Sequence, residues 1–227
     1  MKIIVFSDMH GNKRAVDVVK NMVKNEDADM VLYLGDYSDN KYLGDPKKNV
    51  EDIREAIKQL SPEVEFKSLV GNCDTKEGLE VLEKEGMSLH NEALHRGNIC
   101  IVGFGGSNST PFHTPLEFPE GEILDSLRKL MKKAEKFEPD FMILATHAPP
   151  KNTKCGQLPG MNVGSDAVRQ VVEEYRPNLA LCGHIHEAKS TDYIGDSKIV
   201  NVGPSSEGNF LIVEIFEDSI DTTGITI

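Results

Sequence analysis

Ionisable and amide side chains recur directly after short apolar runs of this 227-residue chain. The first run, IIVF, leads into Ser-Asp-Met-His-Gly, and a later run, LALC, leads into Gly-His-Ile-His. A buried strand gains no packing energy from an aspartate or a histidine at its tip, so these positions indicate chemistry outside the core. The residues concerned are Asp8, His10, Asp36, Asn72, His147, His184 and His186.

The donor types at these positions are those of a transition-metal site. Imidazole, carboxylate and amide oxygen together suit Mn, Fe, Ni, Co or Zn better than calcium or copper. Seven donors are too many for one ion, whereas two ions that share a carboxylate would use them all. Metal ions about 3.5–4 Å apart stabilise both oxygens of a displacement at phosphorus. We therefore expect two divalent transition-metal ions, with Mn favoured and Fe, Ni, Co or Zn as alternatives, and a small phosphate ester as substrate.

Each motif taken singly also fits an ordinary structural role. Asp8 and His10 could belong to a turn that caps a helix, and Gly35-Asp36 is a common turn pair. The two histidines of Gly-His-Ile-His would point to the same side of an extended segment, which favours metal binding. The joint pattern carries more weight than any one motif, because four of the seven histidines follow apolar runs in this way.

Distant segments must be brought together to form such a site, and the apolar pattern predicts the elements that do so. Short apolar runs bounded by polar or glycine-containing turns predict strands buried on both faces, at residues 2–6, 30–34, 66–70, 99–103, 141–145 and 179–182. Apolar spacings of three and four predict helices at residues 13–25, 49–60, 121–136 and 165–175. Ser165 is the expected N-cap of the last helix.

The last third of the chain has a different pattern. Strands are predicted at residues 198–202, 210–216 and 219–227, with a tight turn at Glu217-Asp218, so antiparallel pairing is expected there. Ligands of open α/β sheets lie beyond the carboxyl ends of the strands. We therefore expect the polar tips of five strands to meet at one edge of the sheet.

Composition excludes some classes of protein. The 37 acidic and 25 basic residues give a net charge of −12, which disfavours binding to duplex nucleic acid or an anionic membrane, although nucleotides remain possible ligands. No apolar run is long enough to span a membrane, and MKIIVF is too short for a signal-peptide core. We expect one cytoplasmic domain over residues 1–227, with its four cysteines as free thiols.

Residues 103–121 form a long segment rich in glycine, serine, threonine and proline. We predict that this segment is a functional loop. Its Ser107, Asn108 and His113 are candidate substrate contacts, although ordinary solvated turn residues would look the same. Asp39 could orient a ligand histidine, but a surface carboxylate is the simpler interpretation.

The chain resembles the calcineurin-like metallophosphoesterases in the order of its motifs, which are Asp8-Met9-His10, Gly35-Asp36, Gly71-Asn72-Cys73-Asp74, His147 and Gly183-His184-Ile185-His186. The resemblance covers nearly the whole chain. The stretches GFGGSNSTPF, THAPPKNT and CGHIHE are similar to a small prokaryotic branch related to cyclic-nucleotide phosphodiesterases. The resemblance implies an α/β fold, a four-layer α/β/β/α sandwich of two mixed sheets flanked by helices.

The resemblance also implies roles for individual residues. It implies that one metal is held by Asp8, His10 and His186, and the other by Asn72, His147 and His184. Asp36 would bridge the two metals together with a hydroxide that attacks phosphorus. The residues implied to act in catalysis are Asp36, Asn72 and His147, and those implied to contact substrate are Asn72, Cys73 and Asn108.

Cys73 departs from the family pattern, because many relatives carry histidine at this position and use it to assist the leaving group. A thiol has an ordinary pKa of about 8.5 and is a poor acid for that purpose. This favours a phosphodiesterase, or an esterase for good leaving groups. Alternatively, Cys73 only packs beneath the site.

Two other functions fit the same pattern. The first is a phosphomonoesterase, including a protein phosphatase, with the same metals. The second is a noncatalytic interaction module on the same fold, which the complete set of seven donors disfavours.

Overall fold

The computed structural model describes every residue from 1 to 227. Its five α-helices are α1 (Arg14–Glu26), α2 (Pro46–Leu60), α3 (Lys76–Lys84), α4 (Glu120–Glu135) and α5 (Asp166–Tyr175). Its strands are β1 (Lys2–Phe6), β2 (Met30–Tyr33), β3 (Glu65–Ser68), β4 (Glu92–Arg96), β5 (Ile99–Phe104), β6 (Ser107–Asn108), β7 (Glu117–Phe118), β8 (Phe141–Thr146), β9 (Gln157–Leu158), β10 (Met161–Asn162), β11 (Leu179–Cys182), β12 (Ser190–Ile194), β13 (Ser197–Asn201), β14 (Asn209–Ile215) and β15 (Ile220–Thr226).

Two mixed sheets form the centre of the molecule. The first has the strand order β15-β14-β1-β2-β3, in which β1, β2 and β3 are parallel and the last two strands of the chain add antiparallel. The second has the order β12-β13-β11-β8-β5-β4, with four parallel strands and an antiparallel strand at each edge. The antiparallel pairing expected late in the chain is found between β12 and β13 and between β14 and β15, while β13 also pairs in parallel with β11.

Three apolar layers separate four layers of secondary structure. Along β1 the side chains alternate, so Ile4 and Phe6 pack toward α1 and α2 while Ile3 and Val5 pack between the sheets. A third apolar layer joins the second sheet to α4 and α5. The predicted four-layer α/β/β/α sandwich is therefore confirmed.

Most predicted elements lie within one to three residues of their observed bounds, and Ser165 caps α5 by accepting a hydrogen bond from Val168 N. The patterns missed the nine-residue helix α3 and the edge strands β4 and β12, whose side chains are mostly exposed or only partly buried. They also missed the two-residue strands β6, β7, β9 and β10. All four cysteines are free thiols, as expected. None of the helices is both long enough and apolar enough to cross a membrane.

Candidate metal centre

The seven predicted ligands come from both sheets, and the expectation of a single sheet edge was wrong. Loops after β1, β2 and β3 of the first sheet carry Asp8, His10, Asp36 and Asn72. Loops after β8 and β11 of the second sheet carry His147, His184 and His186. The sheets are joined at this end of the sandwich, since Gly183 N donates to the carbonyl of His147 and His184 N donates to Asp8 Oδ2 at 3.1 Å. The carboxyl ends of strands in both sheets therefore face one site.

Asp8, His10 and His186 form a compact triad. The two Nε2 atoms of the histidines are 3.2 Å apart, and Asp8 Oδ1 lies 3.3 Å from His186 Nε2 and 3.9 Å from His10 Nε2. Two ligand nitrogens bound at about 2.0–2.1 Å from a metal ion are separated by a similar distance. The triad thus presents its donors at the spacing of a coordination sphere.

Asp36 lies between this triad and the remaining ligands. Its Oδ2 is 3.7 Å from His10 Nε2 and 3.5 Å from His147 Nε2. Asn72 Oδ1 in turn lies 3.0 Å from His147 Nε2, and the His184 ring centroid lies 5.0 Å from that of His147. Asp36 is the one carboxylate with an oxygen within 4 Å of an imidazole nitrogen of this triad and of an imidazole nitrogen outside it, as expected of a shared ligand.

The outer nitrogens of two of these histidines face backbone carbonyls. His147 Nδ1 lies 2.9 Å from the carbonyl oxygen of Leu34, and His10 Nδ1 lies 3.4 Å from that of Ser38. A proton on each Nδ1 leaves Nε2 unprotonated and directed into the site, the arrangement typical of metal-ligating histidine. The donor set therefore fits a pair of divalent metal ions.

Four of the seven ligands have a left-handed backbone, although none is glycine. The φ angles are 52° for Asp8, 41° for His10, 65° for Asp36 and 67° for His184. This conformation costs roughly 1–2 kcal/mol for each residue with a side chain. Such outliers cluster where side chains are aimed at a site rather than where stability is greatest.

Carboxylates and imidazoles alter each other's protonation in the site. Burial alone would raise the pKa of Asp36, but His147, His10 and His184 outweigh burial and hold it below its ordinary value. Burial opposes protonation of His147, yet the carboxylates of Asp36 and Asp8 raise its pKa to about 9. Burial and the charge of His147 lower the pKa of His184 to about 4. The carboxylates thus attract positive charge to the place that a divalent cation would take.

Cys73 lies beside the centre, whereas the loop candidates are less closely connected. Its backbone N–H donates to Asp36 Oδ1 at 2.8 Å, and its thiol is 3.6 Å from Asn72 Nδ2. Asn108 makes no hydrogen bond to the seven ligands; its amide donates to the carbonyl of Gly164. Ser107 is buried, and His113 is exposed at the tip of the loop. The substrate contact proposed for Asn108 stays a prediction.

Asp39 takes the simpler of the two expected roles. Its side chain is 40% exposed, accepts from Lys41 N and pairs with Lys41 Nζ, while the carbonyl of Ser38 is the partner of His10.

Two buried residues that organise the site were not identified from the sequence. The Tyr33 hydroxyl accepts from Met9 N and donates to the carbonyl of Asp36, so it ties together the loops after β1 and β2. Asp74 accepts from the backbone N–H groups of Asp36, Tyr37 and Gly71 at 2.8–2.9 Å. The only sequence signal for Asp74 is its place directly after Asn72-Cys73, and Tyr33 looks like an ordinary strand residue.

Comparison with known proteins agrees with this geometry. The sequence model of the calcineurin-like phosphoesterase family matches residues 1–188 of the chain. This range contains all seven candidate ligands. The chain belongs to the calcineurin-like phosphoesterase family. Members of this family hydrolyse phosphate esters with a dinuclear divalent metal centre.

This phosphoesterase is 35% identical over 212 residues to an uncharacterised protein of Methanocaldococcus jannaschii, with 91% of this chain and 89% of the relative covered. Among solved structures it is similar to a dimetal phosphatase from Danio rerio, at 12% identity and a TM-score of 0.74, covering 99% of this chain and 95% of the other. It is also similar to an archaeal phosphodiesterase, at 12% identity and a TM-score of 0.53, covering 99% of this chain and 100% of the other. These two structures share the fold.

Proposed function

We propose that this phosphoesterase is a phosphodiesterase for a small substrate, with Asp8, His10, Asp36, Asn72, His147, His184 and His186 as the ligands of its two metal ions. The observation that carries the proposal is the position of Asp36 between the ligands proposed for the two metals. Its Oδ2 lies 3.7 Å from Nε2 of His10, a ligand of one metal, and 3.5 Å from Nε2 of His147, a ligand of the other. When bound, the two ions would lower the pKa of a water molecule and offset the charge of the phosphate. Mn is the metal we favour, and the mixed donor set also accepts Fe, Ni, Co or Zn.

The protein side chains position these ions and shape the charge of the site. Asn72 contributes a neutral oxygen where a third carboxylate would add negative charge, so the loaded centre keeps the positive charge that attracts a phosphate anion. The backbone N–H of Cys73 donates to Asp36 Oδ1, which directs Oδ2 of the same carboxylate toward His10 and His147. Asp36 is thereby oriented toward ligands of both proposed metal ions.

The preference for diesters is supported by the residue beside Asn72. Burial and the neighbouring carboxylate of Asp36 raise the pKa of the Cys73 thiol well above its ordinary value. A thiol of such low acidity cannot protonate a departing alkoxide efficiently at neutral pH. The substrates favoured are therefore those whose leaving groups need little protonation. One structural neighbour is described as a phosphodiesterase and another as a dimetal phosphatase, so the fold alone does not select between the two activities.

The test is a comparison of bis(p-nitrophenyl) phosphate with p-nitrophenyl phosphate, each assayed with the Mn-, Ni- and Zn-loaded enzyme. A larger kcat/KM for the diester is expected with at least one metal. The Asp36→Asn variant should reduce kcat/KM at least about 100-fold, beyond the 10–100-fold typical of residues that only orient ligands. A larger kcat/KM for the monoester with every metal would replace the proposal with a phosphomonoesterase, and absence of both metal and activity would indicate an interaction module.

A further inference from the structure

The Asn72 side chain can face the centre with either end of its amide, and only one end is a useful ligand. In the structure Oδ1 faces His147 Nε2 at 3.0 Å, and Nδ2 donates to Thr114 Oγ1 at 3.0 Å. The amide oxygen has lone pairs for a hard divalent cation, whereas the NH₂ group has none. A rotation of the amide by half a turn would place the wrong group at the metal.

Thr114 lies in the loop between β6 and β7, and its hydroxyl is itself held by a carboxylate. Thr114 Oγ1 donates to Glu117 Oε1 at 2.6 Å. Because a hydroxyl has one proton, this bond leaves only lone pairs to face Asn72. Thr114 Oγ1 can then accept from the amide NH₂ and cannot donate to the amide oxygen.

The Glu117 carboxylate is surrounded by hydrogen-bond donors and therefore acts as an acceptor. Thr114 N donates to its Oε1 at 2.8 Å, and Thr110 donates to it from both backbone and hydroxyl. Burial alone would raise the pKa of Glu117, but these hydrogen bonds from Thr110 and Thr114 outweigh burial and lower it to about 2. An ionised carboxylate only accepts hydrogen bonds, so the direction of the chain from Asn72 through Thr114 to Glu117 is determined.

The backbone reinforces the same contact. Leu116 N donates to the backbone carbonyl of Asn72 at 3.1 Å, so the loop segment that carries Thr114 is tied directly to the ligand it orients. Two independent bonds thus join this loop to one metal-ligating residue.

We propose that Thr114, oriented by Glu117, is a positioning residue that keeps the amide oxygen of Asn72 directed at the metal centre. This inference rests on the proposed function, since it assumes that Asn72 is a ligand. It gives the loop between β6 and β7 a part in metal binding that does not depend on contact with substrate.

The test measures Mn²⁺ binding by isothermal titration calorimetry, together with the electron paramagnetic resonance spectrum of the loaded protein. Thr114→Val removes the acceptor at nearly constant volume and should weaken one of the two Mn²⁺ sites about tenfold or more. The spectrum should change from that of a spin-coupled pair to that of isolated Mn²⁺ at substoichiometric loading. Thr114→Ser keeps the hydroxyl and should restore both readouts to within about threefold of the unaltered protein.

Thr110→Val is the matched control, because Thr110 also bonds to Glu117 but makes no hydrogen bond to Asn72. It should lower thermal stability at least as much as Thr114→Val but weaken Mn²⁺ binding less than about threefold. The reason is that Thr110 N and Thr114 still donate to Glu117, and Thr114 still accepts from Asn72. Equal losses of affinity in both valine variants, or full affinity in Thr114→Val, would overturn the inference while the proposed function stood. Failure of the unaltered protein to bind any of Mn²⁺, Ni²⁺ and Zn²⁺ would overturn both.

Discussion

At the scale of single residues, the centre depends on side chains whose partners fix one orientation. Asp36 divides its two oxygens between the backbone N–H of Cys73 and the imidazoles of His10 and His147. His10 and His147 each use Nδ1 for a backbone carbonyl and direct Nε2 into the site. Because these contacts fix the orientation of each side chain, substitution of one of them is expected to change the chemistry of the site before it changes the fold.

Cys73→His provides a test at this scale. An imidazole beside Asn72 would be able to protonate a departing alkoxide, and general acid catalysis typically contributes at least about 100-fold. We expect kcat/KM for diesters with poor leaving groups to rise roughly tenfold or more, with little change for p-nitrophenolate. The measurement is a series of aryl phosphodiesters of increasing leaving-group pKa, with Cys73→Ser as control. An unchanged dependence on leaving-group pKa would mean that this position has no leaving-group role.

At the scale of elements, the ends of β1 and β11 approach so closely that only glycine fits between them. A Cβ atom on Gly183 would lie 2.1 Å from Ser7 Oγ and 2.4 Å from Asp8 Oδ2. The absence of a side chain at residue 183 lets His184 N reach Asp8 Oδ2, which joins the two sheets at the centre. Contact between these strand ends thus sets the distance between the ligands carried by the first sheet and those carried by the second.

Gly183→Ala should therefore damage the centre. The added methyl group would displace Asp8, one of the three donors of the first triad, so we expect Mn²⁺ affinity to fall about tenfold or more and stability to fall by about 1–3 kcal/mol. Urea unfolding and Mn²⁺ titration measure the two effects. Gly121→Ala in α4 is the control, since a Cβ there meets nothing within 4 Å. Retention of full Mn²⁺ affinity by Gly183→Ala would show that the approach of β1 and β11 does not set the site.

At the scale of the whole molecule, the candidate ligands come from two sheets, and each sheet includes strands from the C-terminal part of the chain. β1 pairs with β14, and β11 pairs with β13, so the last 39 residues, which follow the family match at residue 188, complete both sheets. The single domain expected over residues 1–227 stays a prediction. Metal ions at the junction would connect the sheets in the folded state only.

Metal removal should therefore lower thermal stability. A ligand at 100 times its dissociation constant stabilises the folded state by about 2.7 kcal/mol, which corresponds to roughly 5–10 °C in Tm for a chain of this size. We expect such a decrease when EDTA-treated protein is compared with Mn-loaded protein by calorimetry. Asp36→Asn should show a much smaller difference. An equal Mn²⁺ effect in that variant would place the stabilising ion elsewhere on this acidic protein.

The order of the motifs and the apolar pattern were enough to predict the main strands and helices and, through the family resemblance, the four-layer sandwich. The motifs also named the seven candidate ligands, whose role in metal binding stays a prediction. These features are local, because alternation, spacing and the residue types after each strand are all visible along the chain. Tertiary structure alone decided that the ligands come from two sheets, that Tyr33 and Asp74 tie the loops together, and that Thr114 reaches Asn72. Hydrogen bonds between residues distant in sequence depend on how strand ends are placed in space, and no local pattern encodes that placement.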